Sequence, residues 1–237
     1  MSTRYWVVAG TALVLGLAGG AYVGSKWERR PSKVVDNFHI LFHKNGETTF
    51  NDTRWRGVSV QKSPFDMWAY QELLYETKPD VLVEAGTFKG GSAYYFASLF
   101  DMIGKGRVIS IDIEEQPNLP QHPRITYLKG SSTDPAMIDK VKSLLEPGDR
   151  VMVSLDSDHH KGHVLQELRL YGPMVSPGCY LVVEDTHMGG HPILPKHGPG
   201  PLEAVEEFLA GKPPFTVDRT REKFLMSFNR GGWLKRQ

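Results

Sequence analysis

From Asp80 to Asp185 the chain alternates short apolar runs with helix-length segments. The runs are "VLVEAG", "RVISID", "ITYL", "RVMVSLD" and "CYLVVED", and the intervening helices are expected from about Gly91, near 135 to 145 and near 160 to 171. Runs that stay apolar at consecutive positions, rather than at every second one, suit strands covered on both faces, and their alternation with helices specifies a parallel sheet. A further helix near Leu202 to Ala210 precedes "FTVD" and "KFLMSFN". A short charged turn separates these two segments, so they are expected to close the sheet as an antiparallel hairpin. The fold class is therefore α/β, with a Rossmann-like, mostly parallel sheet and a hairpin edge. Class I methyltransferases share this succession; a generic doubly wound domain differs only at that edge.

The start of the chain is different. Tyr5 to Ser25, "YWVVAGTALVLGLAGGAYVGS", carries no charge over 21 residues. At about 1.5 Å per residue, a helix of that length covers the roughly 30 Å hydrocarbon core, which is longer than the apolar part of a signal peptide. Lys26, Arg29, Arg30 and Lys33 follow it, against Arg4 before it, so a single-pass anchor with a cytoplasmic catalytic body is expected. Gly16, Gly20 and Gly24 would leave one helix face open to a second copy, pointing to a homo-oligomer, with a glycine-rich but monomeric span as the plainer alternative. The expected organisation is an anchor at 5–25, a linker and cap at 26–62, and a catalytic domain at 63–237. That domain opens with a helix capped by Ser63, with Pro64 at its first position and Asp66 three residues after the cap, running to about Thr77.

Charge and cysteine content narrow the chemistry. With 28 Lys plus Arg against 27 Asp plus Glu, no electrostatic field gathers nucleic acid, so a nucleic-acid partner is not expected. A lone Cys179 forms neither an intrachain disulfide nor a cysteine metal framework.

Ligands on an open α/β sheet bind beyond the carboxyl ends of the strands. The first strand ends in "VLVEAGTFKGGSA", placing Glu84 at its close, Gly86 and Thr87 in the turn, and Gly90, Gly91 and Ser92 at the helix start. A dinucleotide fingerprint needs a second glycine where Phe88 stands, which disfavours NAD and FAD. S-adenosylmethionine lacks phosphate, and its cationic amino acid portion suits an acid beside a glycine turn; a merely tight structural turn is the plainer alternative. Asp112 ends the second strand, where a carboxylate can accept from paired ribose hydroxyls or simply cap a helix. In "KGSSTD", Gly130, Ser131 and Ser132 are placed to border an adenine, while Asp134 caps the helix that begins at Pro135.

The fourth and fifth strand ends supply Asp156 and Asp158 in "SLDSDHHKGH", and Glu184 and Asp185 in "VVEDTH". Acids crowded at one edge raise each other's pKa, and an oxygen-bound hard cation such as Mg²⁺ or Ca²⁺ holds them ionised; a solvated acidic rim is the alternative. His159 and His163, like His187 and His191, are four apart, a spacing open to zinc. Yet no histidine is followed by an acid two residues later, and H-E-x-x-H is absent, which disfavours an iron oxygenase or zinc hydrolase. His163 is expected to pack, while His187, His191 and His197 are open to loop packing or substrate contact.

These motifs resemble those of the cephalosporin hydroxylase and rhamnosyl O-methyltransferase family, with its E-x-G turn, D-x-D strand end and V-E-D-T strand end. The likeness runs from about Lys62 to Arg236. It is sharpest through "LDSDHHKGHVLQELRLYGPMVSPGCYLVVEDT" and "GHPILPKHGPGPLEAVEEFL". The resemblance implies S-adenosylmethionine- and Mg²⁺-dependent methyl transfer to a hydroxyl of a sugar, glycolipid or natural product. It implies Glu84, Gly86 and Asp112 as cofactor contacts; Thr87, Gly90, Ser92, Ser131 and Asp156, at the same strand ends, are candidate cofactor contacts read from the sequence itself. It also implies Asp156, Glu184 and Asp185 as metal ligands, with Asp158 competing for the place of Asp156. His159, three residues after Asp156, falls where similar O-methyltransferases carry a Lys or His base. A metal-dependent hydrolase using the same acids, or a silent membrane scaffold, are the other classes compatible with the sequence.

Overall fold

Seven strands form one sheet in the computed structural model, which describes residues 33–237. The expected anchor at 5–25 lies outside the described residues. Among those described, no helix is long and apolar enough to cross a membrane.

In chain order the elements are α1 (Lys33–Lys44), a small hairpin of β1 (Arg54–Trp55) and β2 (Val58–Ser59), α2 (Pro64–Thr77), β3 (Val81–Ala85), α3 (Gly91–Ile103), β4 (Arg107–Asp112), β5 (Ile125–Lys129), α4 (Pro135–Ser143), β6 (Val151–Leu155), α5 (Lys161–Tyr171), β7 (Tyr180–Val183), α6 (Pro201–Ala210), β8 (Phe215–Val217) and β9 (Trp233–Arg236). The large sheet runs β5-β4-β3-β6-β7-β9-β8. The central strand β3 pairs in parallel with β4 and β6, so that Val83 lies between Ile109 and Val153. Every residue of β3, β6 and β7 is buried, which explains why these strands read as unbroken apolar runs. The order reverses between β3 and β6, and a crevice opens there at the carboxyl ends.

The closing edge departs from expectation. An antiparallel edge is present, but the strand beside β7 is β9, and residues 223–229 form a loop instead. The apolar character of "KFLMSFN" serves a different purpose. The Ser227 hydroxyl and the Phe228 amide both donate to Asp66, Leu225 takes a positive φ of 70°, and Phe228 turns its ring toward Phe50 at 5.4 Å. With its Phe228 amide committed to α2, the segment has one fewer donor to offer a strand ladder.

Asp66 is thus not a capping-box partner. Helix α2 starts at Pro64 as its sequence predicts, but the Ser63 hydroxyl makes no cap bond. Its face packs through Tyr70, whose ring lies 4.9 Å from Phe96 of α3 and 5.1 Å from Trp233 of β9. The expected linker at 26–62 contains α1, two 3₁₀ turns and the β1–β2 hairpin. Its last residues, Val60 to Lys62, run into the crevice.

Candidate active site

The turn after β3 sets the shape of the crevice. Gly86 has φ +100°, and a Cβ there would lie 1.9 Å from the carbonyl oxygen of Asp156. Only glycine lets the ends of β3 and β6 approach this closely. Beyond them lies a cavity of about 270 Å³ whose walls include Lys62, Thr87, Ser92, Asp156, His159 and Asp185. A second cavity of about 600 Å³ shares Thr87 and is lined by Asp112, Asn118, Leu119 and Tyr127.

Glu84 lies fully buried. One of its oxygens accepts from Ser110 at 2.6 Å, while Oε1 has no partner. Burial pushes its carboxyl up to about 7, against Lys62 and the Ser110 and Ser92 hydroxyls. Asp112 accepts from the amides of Phe88 (2.7 Å) and Glu114 (2.9 Å) on the wall of the larger cavity. A Cβ on Gly90 would meet Pro120, Leu119 and Tyr127, so this glycine gives the 114–121 loop its seat. Ser131 bonds locally with Thr133, and Ser132 pairs with His163 at 3.1 Å. An unpaired buried carboxylate oxygen and an acid lining a roomy cavity suit the amino and ribose groups of S-adenosylmethionine. Glu84 and Asp112 would hold those groups, with Thr87 between the two cavities.

Asp156 and Asp185 follow β6 and β7. Nε2 of His159 stands 3.3 Å from Asp156 Oδ1 and 3.2 Å from Asp185 Oδ2. One ligand atom from each of these three residues lies within 4.8 Å of the others, a spacing that one cation spans, and two carboxylate oxygens suit a hard divalent ion. Asp185 has φ +54°, an uncommon conformation for a non-glycine residue, and such strain clusters at functional sites. Its amide donates to the Asn229 side chain at 3.1 Å. Burial opposes the Asp185 charge, but the bond to His187 and the neighbouring His187, His159 and Lys62 outweigh it and hold the carboxyl well below its usual range. Burial likewise opposes a charged His159, but the bond to Asp156 and the fields of Asp185, Asp156 and Asp158 prevail, raising it to about 9.

Two of the four proposed metal ligands stand apart from this triad. Asp158 caps His160, accepting from its amide at 2.7 Å and standing 2.8 Å from its ring, on an exposed turn. Glu184 turns inward, with Oε2 2.6 Å from Lys62 Nζ and Oε1 accepting from Tyr70 and Ser154 at 2.8 and 2.7 Å. Lys62 also reaches Asp156 at 2.6 Å. The compensation that the acidic run demands thus comes partly from the Lys62 ammonium and not from a metal alone. His160 stacks on His197 at 5.0 Å, away from the triad that holds His159. Nothing near Lys62, Tyr70 or His39 in the sequence marks them as neighbours of this site; only the 114–121 loop, placed after Asp112, carries a positional signal.

This strand order, with an acid-glycine turn and an acid after the second strand, is that of a Rossmann-like class I methyltransferase sheet. The family model described as Rhamnosyl O-methyltransferase/CmcI matches residues 47–237, and the chain belongs to that family. It is 39% identical over 212 residues to the rhamnosyl O-methyltransferase of Mycobacterium bovis (strain BCG / Pasteur 1173P2), covering 86% of this chain and 83% of that protein. It is 37% identical over 216 residues to the enzyme of the same name from Mycobacterium leprae (strain TN), covering 88% and 93%. Among solved structures, CmcI with Mg and SAM superposes with a TM-score of 0.60 at 23% identity over 79% of this chain and 77% of that one, a likeness that concerns the fold.

Proposed function

We propose that the enzyme methylates a hydroxyl of a sugar, in the first instance a rhamnosyl unit of a glycolipid, with a divalent cation, Mg²⁺ by preference, at Asp156 and Asp185. The observation that carries this is the meeting of Asp156, His159 and Asp185 in the same cavity as the Gly86–Thr87 turn. The rhamnosyl O-methyltransferases at 37–39% identity supply the acceptor class.

When bound, S-adenosylmethionine would supply the methyl group and the cation would polarise the acceptor oxygen. The chain's own residues do the rest. Glu84 and Asp112 anchor the two ends of the cofactor, Gly86 keeps β3 close to β6, and Lys62 bridges Asp156 and Glu184 in a buried setting. His159, beside both carboxylates, is the group placed to take the acceptor proton. Phe50 and Phe228 line the same cavity and offer an apolar wall that limits water.

Residues 5–25 would hold the catalytic domain at the cytoplasmic face of a membrane, beside a lipid-linked acceptor, and their glycine face would pair two copies. The test is transfer of labelled methyl from S-adenosylmethionine to rhamnosylated glycolipids by the full-length protein, with and without chelator. Expected are a methylated sugar, loss of transfer on chelation, and a drop of about 10² to 10⁴ in rate for His159→Ala. Full activity after exhaustive chelation would remove the metal, and a product methylated elsewhere than on the sugar would remove the acceptor class.

A further inference from the structure

Behind Asp185, away from His159, two buried histidines from distant parts of the chain meet. Nε2 of His39, on α1, lies 2.7 Å from Nδ1 of His187, and Nε2 of His187 stands 3.4 Å from Asp185 Oδ1. Both side chains are essentially inaccessible to solvent. The two rings pack on the same phenyl group: His39 lies 5.4 Å from Phe228 and nearly parallel to it, and His187 lies 4.2 Å from it. The backbone of His187 is pinned as well, its amide donating to the Phe228 carbonyl.

We propose that His39 is a positioning residue which, through His187, holds Asp185 in place to receive the cation. This rests on the metal reading given above. The tautomers follow from the one atom left over. His39 Nδ1 is buried and has no partner, and a buried N–H without an acceptor is costlier than a bare ring nitrogen without a donor. The His39 proton therefore sits on Nε2 and is donated to His187 Nδ1. That leaves His187 to carry its proton on Nε2, facing Asp185. Burial, with His187, Arg230 and His43 around it, pushes His39 down to about 3, so its ring stays neutral at working pH. Partners behind a ligating carboxylate or imidazole orient it, and losing one such partner weakens metal binding. By this arrangement the segment before the methyltransferase core completes the cation site.

The full-length protein is titrated with Mg²⁺ and, separately, with S-adenosylhomocysteine, for wild type, His39→Phe, His39→Gln and His187→Phe. The phenyl ring keeps the stack on Phe228 but has no donor, whereas the glutamine amide restores one. Expected for His39→Phe and His187→Phe is about 10- to 100-fold weaker Mg²⁺ binding, with S-adenosylhomocysteine affinity unchanged to within about twofold, and recovery of most of the loss in His39→Gln. A structural role alone would weaken both ligands together. Wild-type Mg²⁺ affinity in His39→Phe overturns the proposal. Long-range ¹H–¹⁵N imidazole spectra of the wild-type protein decide it without any variant: a protonated Nε2 on His187 supports it, and a bare Nε2 overturns it. If the wild type itself takes up no Mg²⁺, the metal reading falls, and the imidazole spectra still decide whether His39 fixes His187 against Asp185.

Discussion

Lys62 Nζ lies 2.6 Å from Glu184 Oε2, with both side chains at most 5% exposed. The same ammonium serves Asp156 at 2.6 Å. Burial alone would drive the proton off, but Asp156 and Glu184 outweigh it and keep Lys62 charged. Replacing Lys62 with Met removes the ammonium from between Asp156 and Glu184, and breaking such a buried pair typically costs about 3–5 kcal/mol. A urea-unfolding midpoint should fall accordingly, and millimolar Mg²⁺ should recover part of the loss by neutralising Asp156. A Lys62→Met protein as stable as wild type would mean that water, not Lys62, balances these acids.

The sheet was legible because parallel strands buried on both faces leave unbroken apolar runs, and the acids after those runs mark where a crevice must open. Asp156, Asp185 and His159 could be placed for that reason. Lys62 and His39 could not, since each reaches its partner across more than a hundred residues and nothing local distinguishes a buried lysine or histidine from an exposed one. The segment 223–229 has the composition of a strand because it lines a cleft, yet it is a loop whose partner, Asp66, lies far off in α2. In the same way Glu184 resembles a ligand beside Asp185, yet the chain leaves β7 at Val183 and Asp185 turns through a positive φ of 54°, so that one side chain faces Lys62 and Tyr70 while the other meets His159.

Gly86→Ala tests the contact between β3 and β6. The added methyl would meet a backbone carbonyl at 1.9 Å in a left-handed conformation, so strain and collision combine and the loss should be about 3 kcal/mol or more. Gly104 also has a positive φ, but nothing lies within 4 Å of its missing Cβ, and Gly104→Ala should cost only about 1–2 kcal/mol. Equal losses in chemical denaturation of the two variants would contradict the close approach.

Asp66 gives a pH signature of opposite sense to an ordinary surface carboxylate. Burial pushes it up to about 7 despite the bonds from Ser227 and Phe228, so the folded state prefers its protonated form. Its stabilising contribution is fully present below the unfolded value near 3.9 and is lost as pH rises through about 7. Between pH 4 and 8 the wild type should therefore lose stability relative to Asp66→Asn, by up to about 4 kcal/mol at 1.36 kcal/mol per pKa unit. Thermal melts across that range read the difference, and parallel curves for the two proteins would show that Asp66 is ionised throughout.

His159 links cation binding to proton release. In the metal-free protein the Asp156 bond and the surrounding acids overcome burial and raise it to about 9. The stabilisation this confers is complete below the unfolded value near 6.5 and disappears as pH rises through about 9. A cation shared by Asp156 and Asp185 takes up the negative charge that holds the His159 proton, so between those two pH values binding should expel it. Calorimetric titration with Mg²⁺ at pH 8, in buffers of different ionisation enthalpy, should return about one proton released per ion for wild type and close to none for His159→Gln. The same release leaves the neutral imidazole that a base must be, so cation loading and base activation become one event. A wild-type binding enthalpy that does not vary with buffer would separate them and take His159 out of the role of base.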